Sequence, residues 1–179
     1  IFEWSETHVF STLNICWAAQ ASLYYHFGVK KEQLDDKIFG VFEHDVLIEN
    51  HTLTRGFTDT FLAPHSRHTK IEEEKLPTIS ELDVLARSEE VGTLIAATKD
   101  LRKIFVTGHI EYDADTLHNE YVRDKNSNLP IKVPVNYYPG NDDTKAPKNR
   151  WRGVAYLFYH NWLNQVYQQT PYDLTELGK

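Results

Sequence analysis

Two periods of apolar and polar positions alternate along this chain, one near 2 and one near 3.6 residues. Residues 11–15 (STLNI) read as a short buried strand. Residues 17–27 (WAAQASLYYHF) read as a helix of good helix formers, apolar nearly all round, with Gly28 placed to stop it. Residues 3–10 interleave Glu3, Ser5, Glu6 and Thr7 with Trp4 and Val9 and predict a short helix or turn. Residues 30–37 form a charged loop, and 38–43 and 45–48 are strands with a turn between them. A polar stretch over 51–60, with Arg55-Gly56 as its turn signal, leads into 61–69, where Pro64 argues against a central strand. After a charged run at 72–75, strand-like segments follow at 82–87, 92–98 and 102–107, the last two joined by a tight hairpin at Lys99-Asp100. Residues 113–124 predict a helix and 125–149 a long loop rich in Asn, Pro, Asp and Lys. Residues 150–169 predict an aromatic-rich amphipathic helix, ended before Pro171, with Trp151, Tyr156, Phe158, Tyr159 and Trp162 as core packing. Strands mixed with helices give the α/β class.

Composition narrows the function classes. At 179 residues, with 41% hydrophobic and 13% aromatic positions, the chain fits one domain with a substantial core. A net charge of −7, from 26 acidic against 19 basic residues, disfavours a nucleic-acid binder. No apolar run approaches the roughly 18 residues of a membrane span. No basic, cleavable leader precedes the first strand, and a single cysteine allows no internal disulfide, which suits a reducing cytoplasm. The chain has no Met and begins at Ile1 in mid-pattern, so it reads as part of a longer one.

The candidate chemistry centres on that cysteine. Cys16 falls where the strand over 11–15 turns into the helix over 17–27, near helix amides that favour a thiolate. A thiol on such a turn stands exposed above a sheet, and the N–H of the next residue, Trp17, is placed to donate to an oxyanion. The strand ending at Val106 and Thr107 runs through Gly108 into His109-Ile110-Glu111, where the carboxylate can bond one ring nitrogen and leave the other for the thiol. Taken singly, a lone cysteine is more often buried and inert, His109 a capping or core histidine, and Glu111 a solvated acid. The paired patterns, strand–Cys–helix and strand–His-x-Glu, favour a nucleophile, its base and the partner of the base. Arg123 on the 113–124 helix reads from the residues alone as part of a solvated face, and Lys37 is ambiguous. His65-x-x-His68, with His44 and His51, raises a metal hypothesis, but no closed zinc set is visible and none is expected.

Several of these stretches resemble the homoserine O-acyltransferases of methionine synthesis, the succinyltransferase-type family. They are residues 15–21 (ICWAAQA), 39–44 (FGVFEH), 61–67 (FLAPHSR), 105–113 (FVTGHIEYD), 161–164 (NWLN) and 170–174 (TPYDL). The resemblance implies a class I glutamine amidotransferase-like fold, an open, mostly parallel sheet flanked by helices. This chain would be the C-terminal part of that single domain, its early strands absent and needed to complete it. It implies Cys16 as the nucleophile that takes an acetyl or succinyl group from acyl-CoA as a thioester, with His109 as base and Glu111 as its partner. Lys37 and Ser66 match substrate-contacting positions, and Arg123 matches the arginine that binds the amino-acid carboxylate. L-homoserine is the implied acceptor, with L-serine acylation or glutamine hydrolysis by the same triad as alternatives. Acyl-CoA is then a co-substrate rather than a bound cofactor, and a cytoplasmic homodimer is expected. The chain departs from the pattern at Ala18, where the family usually has Gly, and at Ile110, where it has Pro. The residue that selects the acyl donor is expected before Ile1.

Overall fold

A computed structural model describes residues 1–171. The helices are α1 (Phe2–His8), α2 (Trp17–Phe27), α3 (Thr116–Asn126) and α4 (Arg152–Gln169). The strands are β1 (Thr12–Ile15), β2 (Lys31–Val46), β3 (Thr60–Ile71), β4 (Leu82–Ser88), β5 (Gly92–Thr98) and β6 (Lys103–Val106). They form one six-stranded sheet in the order β1-β6-β5-β4-β2-β3. Helices cover both faces. Ala19 and Leu23 of α2 pack with Phe105 and Ala96 on one side, while Ala155 and Phe158 of α4 pack with Ile95, Ile104 and Val106 on the other. Strand β6 shows why its run after Lys103 is wholly apolar. Phe105 points to the α2 layer and its neighbours Ile104 and Val106 to the α4 layer, the alternation of a strand buried on both faces. A third cluster packs Leu117 and Tyr121 of α3 with Phe39, Val41, Tyr137 and Trp151.

The α/β class holds, but the sheet is mixed rather than mostly parallel. Among the described residues β1–β6 is the parallel strand pair, and the other pairings are antiparallel. The connections explain this: β4 to β5 and β5 to β6 are too short for a crossover, which a parallel pair requires.

Three local expectations change for identifiable reasons. Residues 30–37 are not a loop: β2 begins at Lys31, and its register against β3 shifts between Gln33 and Ile38. The strand is mostly exposed over 31–36, so its polarity reports solvent on both faces rather than a loop. The expected turn at residue 44 is absent because His44 is fully buried within β2 with its ring nitrogens bonded. Pro64 lies inside β3, which is the edge strand of the described sheet and not a central one, as the proline implied, and there a missing amide donor is tolerated. In α4, Phe158 is buried and Tyr159 and Trp162 pack against the core, whereas Tyr156 faces solvent and is not core. Trp151, just before the helix, is buried with α3. No helix among the described residues is long and apolar enough to cross a membrane.

The parallel pair positions the chemistry. The Cys16 N–H donates to the Val106 carbonyl at 2.7 Å, extending β1–β6 by one bond beyond its last register partners, Ile15 and Val106. The ends of these two strands therefore lie side by side, with Cys16 leaving one and Thr107-Gly108-His109 leaving the other.

Candidate active site

Cys16 sits on a strained turn. Its φ of 52° and ψ of −113° are rare for a residue with a side chain, and it caps α2, its carbonyl accepting from the Gln20 N–H at 3.2 Å. Trp17 is the first residue of α2, so its amide has no partner within the helix. The sequence expectation of a strand–Cys–helix turn is met in this geometry. Ala18 is half-buried in the first turn of α2, and Ile110 is buried in the α4-side core, so both departures from the family pattern are accommodated by packing.

His109 faces this turn. Its backbone N–H donates to the Pro64 carbonyl at 2.8 Å, and its Nδ1 bonds Glu111 Oε1 at 2.6 Å. The ring stacks on Tyr112, with centroids 4.1 Å apart and planes 15° apart. Burial disfavours the charged imidazole, but hydrogen bonds to Cys16 and Glu111, together with their negative charges, outweigh it and raise the His109 pKa to about 9. The charged form of this ring is therefore favoured at neutral pH.

Gly108 is required by close approach. A Cβ there would lie 2.7 Å from Leu94 Cδ1, 2.8 Å from the Pro64 carbonyl oxygen and 2.9 Å from His65 Cε1. The Pro64 oxygen is the one that holds the His109 amide, so Gly108→Ala displaces His109. We expect kcat/KM of the full-length protein to fall on the order of 100-fold, the cost of about 1 Å of misplacement, and steady-state kinetics measures it.

A second cluster gathers Lys37, Ser66 and Arg123 around two acids on α3. Lys37 Nζ lies 2.5 Å from Glu120 Oε1 and 3.9 Å from Asp124 Oδ2, and Ser66 Oγ donates to both Glu120 oxygens at 2.8 and 2.9 Å. Arg123 bonds Asp124 at 2.7 Å and stands 3.8 Å from Glu120. Its side chain is 66% exposed, as the solvated-face reading predicts, yet its charged end belongs to this cluster. Lys37 also lies 4.1 Å over the Phe39 ring.

Tyr112 joins the two clusters. Its hydroxyl pKa is raised first by burial and then by the charges of Glu120, Glu111 and Cys16, so acids of both clusters act on one side chain. Glu120, Asp124 and Tyr112 were absent from the residues singled out in the sequence. The available signal was the spacing of Glu120, Arg123 and Asp124, which shares one helical face. Among the described residues no three His, Cys, Asp or Glu side chains are grouped to hold a metal. His44 and His65 are buried against each other, while His68 is exposed.

A model of the homoserine O-succinyltransferase family matches residues 1–172. Of the motifs that carried the resemblance, Tyr172, Asp173 and Leu174 lie outside the described residues. The chain is 53% identical over 178 residues to a homoserine O-acetyltransferase of Clostridium beijerinckii, covering 99% of this chain and 59% of that protein. It is 52% identical over 180 residues to one of Petrotoga mobilis, covering 100% of this chain and 58% of that protein. The chain thus spans about three-fifths of the length of the curated relatives it matches. Among solved structures, a glutamine amidotransferase from Thermotoga maritima superposes with a TM-score of 0.65 at 18% identity, covering 92% of this chain and 67% of that one. Another from Methylobacillus flagellatus gives 0.64 at 15% identity, covering 97% and 69%. At these identities the likeness is one of fold. The family match over nearly the whole chain and the identity to these relatives establish that this chain belongs to the homoserine O-succinyltransferase family.

Proposed function

We propose that the full-length protein transfers an acetyl or succinyl group from acyl-CoA to the hydroxyl of L-homoserine through a thioester on Cys16, in the cytoplasmic synthesis of methionine. The observation that carries this reading is the strained Cys16 turn facing a His109–Glu111 pair in a chain of this family. In the first half-reaction the Cys16 thiol passes its proton to His109, the sulfur attacks the thioester carbonyl, and the Trp17 N–H donates to the oxyanion. CoA leaves as its thiol, taking the proton from His109. In the second half-reaction His109 takes the homoserine hydroxyl proton, the oxygen attacks the acyl-enzyme, and the Cys16 sulfur leaves and regains the proton. Glu111 fixes the imidazole throughout.

The second cluster has the charges an amino acid needs. Arg123 offers an exposed guanidinium for a carboxylate, and Glu120, held by Lys37 and Ser66, offers a carboxylate for an ammonium. In this reading the substrate's carbon chain, and with it the hydroxyl, runs toward Tyr112 and His109. Beside Trp17 a cleft of about 420 Å³, lined also by Tyr24, Lys30 and Lys31, has the positive charge that CoA phosphates require.

Intact-mass spectrometry after mixing full-length protein with acetyl-CoA or succinyl-CoA alone tests the covalent step. We expect a one-acyl adduct mapping to Cys16, discharged by L-homoserine faster than by L-serine. No adduct under conditions that support turnover excludes the thioester, and ammonia release from glutamine without CoA favours the amidohydrolase.

A further inference from the structure

Behind the two catalytic turns lies a buried polar chain that the reaction as written does not use. Arg67 on β3 is 5% exposed and makes no ion pair among the described residues. Its Nε donates to His65 Nδ1 at 3.4 Å, and its two terminal nitrogens donate to the carbonyls of Thr69 at 2.7 Å and Val91 at 2.5 Å. Guanidinium only donates, so His65 Nδ1 accepts and His65 Nε2 carries the hydrogen. That N–H donates to His44 Nε2 at 3.0 Å, and His44 Nδ1–H donates to the Phe42 carbonyl at 3.0 Å. Every ring nitrogen is satisfied with both imidazoles neutral, so one full positive charge remains at Arg67 without a contacting anion. Burying a charge in this way is costly and calls for a function.

The position of Arg67 indicates which function. The Thr69 carbonyl that it grips also accepts from Gln20 Nε2 at 3.4 Å, and Thr69 Oγ1 donates to Gln20 Oε1 at 2.7 Å. Gln20 is the residue whose amide bonds the Cys16 carbonyl. On its other side Arg67 holds His65, whose ring lies against Gly108, the residue before His109. Arg67 therefore touches the supports of both catalytic turns.

We propose that Arg67 is a positioning residue whose buried charge, which no anion contacts, favours the anionic form of the Cys16 sulfur while its hydrogen bonds hold the Cys16 and His109 turns in register. This rests on Cys16 being the nucleophile. The charged and titratable groups around the sulfur are His109, Glu111 and Tyr112 after β6 and Arg67 from β3, and the first turn of α2 carries no acid. Around Arg67 they are Glu73, His65, His44 and Cys16. Burial lowers the Arg67 pKa, and the charges of Glu73, first, and then Cys16 oppose that shift.

The rate of Cys16 alkylation by iodoacetamide, mapped by peptide mass across pH in full-length protein, tests this without any acyl donor. We expect Arg67→Met to move the rate–pH curve up by about one unit, a roughly tenfold slower reaction on its rising limb. Arg67→Lys should restore most of the shift, since it keeps the charge. Glu73→Gln removes the carboxylate that competes with the sulfur for Arg67, still accepts from Thr93, and should move the curve to lower pH. A folded Arg67→Met variant with the wild-type curve overturns the proposal. If Arg67→Met does not fold, an upward or absent shift in Glu73→Gln overturns it. Failure of the acyl-transfer reading is separate: wild-type protein would then form no acyl adduct, whatever the alkylation curves.

Discussion

Cys16→Ala in the full-length protein should abolish the acyl adduct and lower kcat by about 10⁴-fold or more, the scale on which triad members act. His109→Ala should cost nearly as much, and the double variant no more than the worse single one. The reason is geometric. The sulfur, the ring and Glu111 form one hydrogen-bonded unit, and removing any part leaves the others without a reaction to catalyse. Independent contributions would multiply instead, so a double variant much worse than either single one, measured as residual acyl transfer, counts against a common unit. Glu111→Gln should cost less than either, because an amide still bonds His109 Nδ1 but no longer stabilises its charge.

The second large effect is acid sensitivity. His44 is fully buried, and burial, reinforced by the charge of Arg67 and opposed by its bond to the Phe42 carbonyl, lowers its pKa from 6.5 to about 4. His65, also fully buried, is lowered well below 6.5 by burial and by the charges of His44, Arg67 and His109. In the unfolded chain both take up protons near pH 6.5. The stabilisation is therefore fully present above pH 6.5 and is lost as pH falls toward the folded values. His44 alone removes about 2 kcal/mol between pH 7.5 and pH 5, and about 3 kcal/mol by pH 4 and below. His109 does not offset this limb. Its raised pKa contributes stability already complete below pH 6.5 and lost only as pH rises toward about 9. Asp100, held low by its bonds to Thr98 and Arg102 against burial, acts only below the ordinary carboxylate range. Urea unfolding at pH 7.5 and pH 5 measures the difference, and His44→Gln should flatten it. An unchanged pH slope in that variant would assign the effect elsewhere.

Much of this molecule was legible in the sequence because its signals are local. The β1–α2 turn at Cys16, the β4–β5–β6 series and the His-x-Glu spacing each depend on residues within a few positions of one another. What escaped depends on distant partners. His44 looked like a break between strands because the group that donates to its ring, His65, lies across the β2–β3 ladder. The charged segment at 30–37 looked like a loop because its partner strand could not be known. The same holds at the second cluster. Ser66 was named only through the family likeness and Lys37 was ambiguous without it, and the acid that unites them, Glu120, is 54 positions beyond Ser66. The expected mostly parallel sheet came from the likeness rather than from the residues, whose short connections favour antiparallel pairing.

The parallel β1–β6 pair has a consequence for the order in which this molecule matures. The β4–β5 and β5–β6 hairpins close short loops and the β2–β3 ladder a moderate one, whereas β1 must find a strand about 90 residues away. The local ladders are expected to form first and β1 to dock last. Because Cys16 leaves β1 and His109 follows β6, that final docking is also the event that brings thiol and imidazole together. In refolding, recovery of thiol reactivity should lag behind recovery of sheet structure, which makes Cys16 alkylation a reporter for the last step of assembly.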